Sequence, residues 1–420
     1  MRRAIAIAAV LHGLLTVAAR AQQPSASAPA LALGDNYTAL ARGYAAVAWN
    51  PAMLGLPDNP RTSLAVLPVR AIAGLDPVTL GDISDYGGEF LPTVVREEWL
   101  KSIEREGSEQ GTGGGDITWI AAQAGQFALQ LGTSFRAVGN LTPGGAELLL
   151  FGNYGRASDA RALELRDSDV SAFGVSTAAL SYGTSIAPDM TVGATLKFAV
   201  GHLLMHGEDR GTAFTADPAA TINFPVVGSD SEGFDGNGGL GIGLDLGFAM
   251  VRGAWTFGMT LHDAFNTFAW NGDDLVFRAG LGTFDVETFH TDFEEREFAA
   301  APAHLKDFVE DARFAPVLAV GLSRIVSQRL TVTSDFRQRL RESSIDLAPP
   351  THLGIGAEYL LVPRVPLRGG VAYIDGGYQI AGGAGADFGP VSVAISLMRR
   401  DTDLGVDTIT MLTLISTMSR

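Results

Sequence analysis

Few side chains in this 420-residue chain stand where they could do chemistry together. An acyl hydrolase needs a serine, a histidine and an acid or amide brought into contact. The seven histidines are scattered, and no Gly-x-Ser-x-Gly elbow occurs: Ser176 follows Gly174, but the second glycine is missing. No glycine-rich loop with a lysine for phosphate binding occurs either. The sequence therefore indicates neither an enzyme nor a bound cofactor.

Two other groups of residues could bind a metal ion. His202 and His206 stand four residues apart, but where a strand is predicted to enter a loop, so the helical spacing of metal ligands does not apply. The acidic segment 292–298 (DFEEREF) offers the hard oxygens that Ca²⁺ prefers, but without the spacing of an EF-hand. The chain also has no Cys, which excludes disulfides and thiol chemistry. We expect no metal site and interpret the acidic segment as a solvated loop.

The first residues predict export from the cytoplasm. Arg2 and Arg3 precede an apolar run that ends at Ala19-Arg20-Ala21, with small residues at both positions that a signal peptidase reads. We predict a signal peptide over residues 1–21; an uncleaved anchor helix is the alternative. Three of the 30 basic residues leave with the peptide, so the mature chain carries 27 basic and 46 acidic residues, a net charge of −19. This charge argues against a nucleic-acid partner.

Alternation of large apolar and small residues is the main structural signal. Between Leu240 and Met250 every even position is large and apolar, and every odd position is Gly, Ala or Asp. Five other stretches show a similar split: 127–136, 192–201, 255–262, 330–339 and 353–359. Such alternation is typical of strands whose two faces meet different environments.

The composition of the small-residue face distinguishes between two kinds of β-protein, a soluble sandwich and a membrane barrel. A soluble sandwich also alternates, but it turns polar and charged residues to water. Here the weaker face is mostly Gly, Ala and Thr, which fits a crowded, wet lumen while the apolar face meets lipid. The strands are also long enough for a tilted membrane crossing of about nine to eleven residues. We predict an all-β transmembrane antiparallel barrel; a soluble periplasmic β-protein is the alternative.

Short hairpin turns set the number and direction of the strands. Six of them join twelve strands: 124–125, 187–189, 251–253, 327–328, 362–364 and 388–390. One more strand at 62–73 precedes these hairpins and one at 408–418 follows, which predicts about 14 strands within a range of 12 to 16. Because outer-membrane barrels place short turns in the periplasm, both chain ends are expected there. Residues 158–186 and 207–237 could hide a further outer hairpin.

Short helices are predicted in the long outer connections, over residues 92–105, 142–152 and 302–312. In the first, Val95, Trp99 and Ile103 fall on one helical stripe. The apolar side chains of the first two helices could capture a hydrophobic solute, or they could merely pack together as a cap on the barrel. These side chains are Trp99, Leu100, Leu148, Leu149, Leu150 and Phe151.

One compact motif precedes the first strand. Residues 45–55 (AAVAWNPAMLG) are not strand-like, because Pro51 lacks a backbone donor. With Gly34-Asp35 before this motif, and with the stretches GDISDYGGEF, LTPGGAELLLFGN and THLGIGAEYLLVPRVPLRGGVAY after it, the chain resembles the long-chain fatty-acid outer-membrane transporter (FadL-type) superfamily, in a bacterial branch of it. The resemblance covers most of residues 31–420.

The resemblance implies a plugged barrel. In that family the segment before the first strand folds into the lumen as a hatch, so residues 22–60 are expected to form a plug and residues 61–420 the barrel. Trp49, Asn50, Pro51 and Ala52 would then lie inside, near the periplasmic side. A plug is also reasonable physically, because the bore of a 14-strand barrel is wider than wall side chains can fill. A simple turn into the first strand is the alternative.

Charged residues on the small-residue face are expected to point into the lumen, because each would cost about 2–4 kcal/mol on the lipid face at mid-membrane. They are Arg136, Lys197, Asp245, Asp335, Arg337, Arg339, Glu358 and Arg368. Both signs occur, so we expect mainly ion pairs that fill the wall and hold the plug. A polar lining that steers a solute is the alternative.

The function that the resemblance implies is passive, porin-like uptake of a small, hydrophobic solute across the outer membrane of a Gram-negative bacterium. Outer-membrane lipid, the solute and the barrel assembly machinery are the expected partners. A non-transporting barrel that serves assembly or surface attachment is the alternative. The last residues, ISTMSR, depart from the terminal aromatic residue that the assembly machinery reads in barrels of this kind.

Overall fold

Fourteen long strands close into an antiparallel barrel in the computed structural model, which describes residues 25–152, 155–156, 163–214, 219–230, 238–284, 289–345, 349–402 and 405–418. The predicted signal peptide lies outside these residues. Each strand pairs with the next along the chain. The last strand pairs with the first, which closes the wall. The predicted fold class and strand number are confirmed.

The barrel strands are numbered in chain order. They are β1 in two segments (Thr62–Val66 and Val69–Asp76), β2 (Glu109–Ala124), β3 (Phe127–Leu141), β4 (Asp169–Ala187), β5 (Met190–Glu208), β6 (Gly239–Arg252), β7 (Trp255–Asn266), β8 (Val317–Ile325), β9 (Leu330–Arg339), β10 (Thr351–Val362), β11 (Val365–Ile374), β12 (Gly377–Phe388), β13 (Val391–Thr402) and β14 (Gly405–Met418). Leu67 in a left-handed conformation (φ +51°) and Pro68, which lacks an N–H, interrupt β1.

The alternation of large and small residues along each strand separates an outer face from an inner face, as predicted. Leu240 and Leu246 of β6 are 49% and 47% exposed on the outside of the barrel, whereas Asp245 between them is fully buried inside. A face-to-face sandwich would have sealed these leucines between two sheets. The large side chains therefore form an outer apolar surface that suits lipid, and the small ones line the lumen.

Short turns and aromatic side chains mark one end of the barrel. All six predicted short turns join consecutive strands at this end. Exposed aromatic residues lie near it on several strands: Tyr182, Trp255, Tyr359 and Phe388. Tyr373 and Tyr378 are exposed at the opposite end. Tyr378 and Phe388 stand ten residues apart on β12, which at a tilt of about 40° spans about 25 Å, the height of an outer-membrane apolar band.

In the part of the chain that the structure describes, six α-helices lie outside the strands of the barrel wall. They are α1 (Ala28–Ala32), α2 (Ala46–Trp49), α3 (Leu80–Asp85), α4 (Thr93–Glu106), α5 (Pro143–Phe151) and α6 (Ala303–Asp311), with 3₁₀ turns at Gly43–Ala45, Pro51–Gly55, Gly272–Asp274 and Phe298–Ala300. The three helices predicted from the sequence are α4, α5 and α6, all in connections at the long-loop end. Among the described residues, no helix is long and apolar enough to span a membrane.

The long connections also contain short strands. Five of them form a separate outer sheet: Leu163–Glu164, Ala213–Phe214, Ala220–Asn223, Leu281–Phe284 and Phe289–Asp292. Four others extend the barrel sheet: Val226–Ser229, Ala269–Trp270, Leu275–Arg278 and Glu295–Glu297. The segment 207–237 was predicted as a possible site of a further hairpin. Its described residues contain two short strands of the outer sheet and one that extends the barrel sheet.

The lipid-facing role of the outer surface predicts a position-dependent cost for charge. Replacing Leu246→Arg on the outer face of β6 should destabilise the barrel by about 2–4 kcal/mol, because a guanidinium is placed in hydrocarbon. The matched control is Leu149→Arg on α5, a leucine that is 75% exposed beyond the membrane and should cost little. Urea unfolding in phospholipid vesicles measures both. Equal costs would contradict the assigned membrane position.

Candidate functional site in the plugged bore

The N-terminal segment, residues 25–60, lies inside the barrel, and we call it the hatch. It is built from α1, α2 and the two 3₁₀ turns that surround α2. The Trp-Asn-Pro-Ala motif explains one of these turns: Asn50 accepts a hydrogen bond from Ala52 N at 3.1 Å, and Pro51 occupies the first position of the turn. Asn and Pro suit these positions, because an amide oxygen caps a free N–H and Pro has none to satisfy.

Wall glycines let the hatch backbone lie directly on the strands. A Cβ built at any of eight inward-facing glycines would fall 2.0–2.8 Å from a hatch atom, too close for any side chain. They come from seven strands: Gly183, Gly193, Gly247, Gly258, Gly321, Gly354, Gly356 and Gly370. Along the hatch the contacts run from Pro51 on β4 back to Leu33 on β11. The glycine-rich face predicted for the lumen is therefore the seat of the hatch.

Hydrogen bonds from wall side chains hold the hatch backbone at separate points. Asp335 Oδ2 accepts from the N–H groups of Tyr37 and Thr38 at 3.0 and 2.8 Å. Thr260 Oγ1 donates to Trp49 O at 3.0 Å. Gln379 Nε2 donates to the carbonyl of Gly34 at 2.8 Å. These bonds satisfy irregular backbone at membrane depth, where water is scarce.

Two cross-strand partners, Arg337 on β9 and His352 on β10, also contact the hatch. The Arg337 guanidinium lies 5.2 Å from the ring centroid of Trp49, a cation–π contact. His352 Nε2 lies 3.1 Å from Asn36 Oδ1. From the opposite direction, Asn50 Nδ2 donates to the carbonyl of Phe248 on β6 at 3.0 Å. The structure therefore places all four residues of the predicted plug motif, 49–52, buried against the wall.

A buried ion cluster lies on the inner wall formed by β5, β6 and β7. Lys197 Nζ is 2.6 Å from Asp245 Oδ1 and 2.6 Å from Asp263 Oδ1, and all three side chains are fully buried. Asp263 N donates to Asp245 Oδ1 at 2.7 Å, and Asn266 Nδ2 donates to Asp263 Oδ1 at 3.2 Å. His262 Nδ1 lies 3.4 Å from Asp245 Oδ2. The cluster joins three neighbouring strands below the outer end of the bore.

Asp263 is a residue that sequence reasoning missed. Alternation from Trp255 onward places position 263 on the lipid face. The pairing of β6 with β7 shifts between Leu244 and Leu246, and Asp263 takes a left-handed conformation (φ +54°) at the resulting bulge. The bulge turns its carboxylate inward. The sequence did contain one signal of this bulge: regular alternation would place the charged carboxylate of Asp263 against lipid, where it would be costly.

Five of the six other predicted lumen charges fall into three further groups on the inner side of the wall. Arg136 Nη2 lies 3.2 Å from Asp116 Oδ2, a partner that the sequence did not identify, with Arg70 Nε at 3.8 Å. Arg368 Nε lies 2.7 Å from Glu358 Oε2 across β10 and β11. Asp335 and Arg337 contact the hatch as described. Arg339 is half-buried at the last residue of β9.

An apolar cluster fills the outer end of the bore. Parts of the connection between β7 and β8, around Phe268 and Phe314, fold back into the barrel and pack on the inner wall. Six of the buried side chains in the cluster are Leu204, Phe268, Trp270, Phe277, Leu305 and Phe314. Gly241 of β6 makes room for them, because a Cβ there would lie 2.2 Å from the backbone of Phe268. The bore is therefore apolar above and polar around the hatch.

The six apolar residues predicted as a capture site are divided by the structure. Leu100 is fully buried with Ile103 and Ala146, where α4 packs on α5. Trp99, Leu150 and Phe151 pack partly buried against this core, Leu148 is half-buried, and Leu149 is 75% exposed. Arg96 sits between the rings of Phe90 and Phe151, at 5.5 and 5.2 Å. The group thus forms a cap with an exposed apolar edge.

The predicted acidic loop carries ion pairs of its own. Arg296 Nη2 lies 2.5 Å from Asp292 Oδ2, and Arg278 pairs with Glu295. Glu295–Glu297 also pairs as a strand with Leu275–Arg278. Among the residues that the structure describes, no three His, Asp or Glu side chains converge as a metal site.

The fold and its contents define a class: a 14-stranded antiparallel β-barrel with an apolar outer surface and its own N-terminal segment inside. No protein-family model and no curated protein matches the chain. Several solved structures do match the chain in fold. The toluene transporter TbuX of Ralstonia pickettii superposes with a TM-score of 0.51 at 15% identity, covering 95% of this chain and 98% of that one.

Two further structures show the same likeness. The toluene transporter TodX of P. putida gives a TM-score of 0.51 at 14% identity over 95% of this chain and 99% of that one. The monoaromatic hydrocarbon channel CymD gives 0.52 at 13% identity over 94% and 98%. The predicted resemblance to FadL-type transporters is confirmed at the level of the fold.

Proposed function

We propose that this protein is a channel of the bacterial outer membrane that carries a small hydrophobic solute inward through its plugged bore. The observation that carries the proposal is the way the hatch is seated. It lies against eight glycines of the wall, and its backbone is held by separate hydrogen bonds. A plug held in this way can shift while the wall ladder stays intact.

The layers of the bore suggest the path of the solute. The exposed apolar edge at Leu149 and Phe90 meets it first. The apolar cluster around Phe268 and Phe314 offers the next favourable surface, since burying apolar area is favourable by roughly 25 cal/mol per Å². The hatch is the last barrier before the periplasm.

The periplasmic side leaves the hatch some room to move. A cavity of about 200 Å³ lies between one part of the hatch and the periplasmic ends of β11, β12 and β13. Tyr37, Arg42 and Tyr44 of the hatch line one side, and Arg368 and Asp387 line the other. A shift of this part of the hatch into the cavity would loosen its contacts with the wall on the other side.

Toluene is the first solute to test, because TbuX and TodX are described as toluene transporters. The assay uses whole cells of a Gram-negative host that lacks such channels, since a pure phospholipid bilayer passes toluene unaided. Cells with this protein should take up radiolabelled toluene faster than cells with the empty vector. Radiolabelled sucrose serves as the polar control and should not differ.

Two outcomes would contradict the proposal. Equal uptake of toluene and of a long-chain hydrocarbon with and without the protein, at a verified level of folded barrel, would leave the non-transporting barrel as the explanation. Faster uptake of sucrose together with toluene would indicate an open, unselective pore.

A further inference from the structure

A row of hydrogen-bonded polar side chains crosses four neighbouring strands, β2 to β5. Trp119 Nε1 donates to Thr133 Oγ1 at 3.0 Å. The hydroxyls of Thr133 and Ser176 are 2.8 Å apart. Ser176 Oγ and His202 Nε2 are also 2.8 Å apart. The row therefore ends in a serine hydroxyl in contact with an imidazole.

This row lies on the lipid-facing side of the wall. Thr133 shares its face of β3 with Leu131 and Phe135, each 42% exposed. Ser176 shares its face of β4 with Leu180, which is 54% exposed, and Trp119 is itself 52% exposed. Polar and ionisable side chains within a membrane are costly and rare, so each is by default a candidate for a functional site.

Both ends of the row are placed by β-bulges. Trp119 is the extra residue where the pairing of β2 with β3 shifts between Thr118 and Ile120. His202 is the extra residue on β5 opposite the shift between Gly174 and Val175 of β4. A bulge re-aims a side chain that regular pairing would project straight out. Two bulges thus serve one row of contacts.

We propose that Ser176 and His202 are the nucleophile and general base of a lipid-facing site that cleaves hydrophobic carboxylic esters. Ser176 Oγ attacks the ester carbonyl carbon and passes its proton to His202 Nε2. The carbon–oxygen bond to the alcohol breaks, and the leaving alkoxide takes that proton. Water then attacks the acyl-serine by the same route and releases the carboxylic acid.

The neighbouring donors suit the charge that develops in this reaction. The tetrahedral intermediate places an oxyanion next to Ser176 Oγ, and the Thr133 hydroxyl, 2.8 Å from that oxygen, can donate to it. Trp119 Nε1–H donates to Thr133 at 3.0 Å and so holds that hydroxyl in place. Donors held close to a developing oxyanion are the usual source of its stabilisation.

The depth of the site selects the class of ester. Ser176 is six residues from Tyr182, which lies at the periplasmic aromatic end. At a tilt of about 40° this distance is about 15 Å along the membrane normal, in an apolar band of about 25 Å. Ester carbonyls of phospholipids lie at the edge of that band, so the site is suited to uncharged esters that dissolve in the hydrocarbon.

The same two strands carry a matched pair that faces the bore. Ser171 Oγ lies 2.8 Å from His206 Nδ1, the same contact distance as in the outer pair. The His206 ring is stacked on Phe308 of α6, with 3.7 Å between ring centroids, and is closed off from lipid. This inner pair is the natural control for reactivity.

The test uses a fluorophosphonate with a ten-carbon alkyl chain and the full protein in phospholipid vesicles. Ser176 Oγ should form a bond to phosphorus as fluoride leaves, and peptide mass spectrometry should locate one adduct there. Ser176→Ala should abolish labelling, and His202→Gln should slow it about a hundredfold, the usual effect of losing a general base. Ser171→Ala should label like the wild type. Hydrolysis of 4-nitrophenyl dodecanoate should follow the same order.

Several results would overturn the proposal. One is no adduct on a chain whose heat-dependent gel mobility shows a folded barrel. Another is labelling that survives Ser176→Ala or maps to Ser171. Turnover of phospholipid without turnover of the nitrophenyl ester would show the assigned substrate class to be wrong. The conservative variant Ser176→Cys, which keeps a nucleophile, guards against loss of fold as the cause of a negative result.

Discussion

Replacing Gly370→Val should dislodge the hatch from the wall. A Cβ at position 370 would lie 2.0 Å from the carbonyl oxygen of Leu33 and 2.6 Å from the nitrogen of Gly34. Both contacts are with backbone, so no side-chain rotation can relieve them. The wall strand β11 is hydrogen-bonded along its length to β10 and β12, whereas the hatch is held to the wall by a few separate hydrogen bonds. We therefore expect the hatch to move.

The consequence should appear as ion conductance through the barrel. In planar bilayers the wild type should conduct little, whereas Gly370→Val should show frequent open events. The matched control is Gly369→Val, one residue away on the outer face of β11. A Cβ there meets nothing nearer than the carbonyl oxygen of Ala381 at 3.8 Å. This control should conduct like the wild type.

The energetic cost provides an independent readout. Forcing extra atoms into a packed site costs typically about 1–3 kcal/mol. Gly370→Val should lower the stability of the folded barrel by that order in vesicles, and Gly369→Val should not. If both variants conduct equally, or if neither does, the hatch is not seated on Gly370 as described.

The second large effect concerns the buried ion cluster. Replacing Lys197→Met leaves Asp245 and Asp263 buried without the cation that lies 2.6 Å from each of them. Breaking a buried ion pair by removing one partner costs about 3–5 kcal/mol, because the remaining charge has lost both water and counter-charge. We expect a loss of this size, measured by guanidinium unfolding in detergent micelles at neutral pH.

A compensated variant distinguishes charge from packing. Adding Asp245→Asn and Asp263→Asn to Lys197→Met removes the orphaned charges while keeping the side-chain volumes close. Most of the lost stability should return, since replacing a whole buried ionic group is often nearly neutral. If the triple variant is as unstable as Lys197→Met alone, the loss comes from altered packing around the shorter side chain and not from electrostatics.

The two variants act on different parts of the molecule. Gly370→Val should change conductance more than it changes stability, because it moves the hatch against an intact wall. Lys197→Met should destabilise the wall itself, because its cluster joins β5, β6 and β7. If a solute passes by moving the hatch, the hatch must be able to shift without unfolding the wall. Separate effects of the two variants on conductance and on stability are what this mechanism requires.

Much of the architecture could be predicted from local patterns. A period of two along each strand determines which side chains share a face, so Leu246 and Asp245 were assigned correctly from their neighbours alone. Short turns such as 251–253 and 362–364 carry their own conformational signals, and they fixed the number and direction of the strands. Helices α4, α5 and α6 have apolar spacing or start and stop residues within their own segments.

The contents of the bore could be predicted only in part. The hatch was expected from a resemblance and not from any local pattern, because its contacts join Leu33 to Gly370, more than 300 positions away in the sequence. Asp116 was missed as the partner of Arg136 because cross-strand register decides that pair. The connection 267–316 carries no signal that it folds inward to place Phe268 and Phe314 in the lumen.

Bulges mark the boundary between what the sequence by itself determined and what the tertiary structure decided. Alternation determined the barrel, because a side chain in a regular strand has only two directions to take. One extra residue stands against the partner strand at Trp119 and at His202, and two extra residues do so around Asp263, so the rule of two directions fails there. The position of each bulge depends on how two strands pair, and the sequence of one strand does not contain that information. The ion cluster and the outer polar row therefore exist only in the closed barrel.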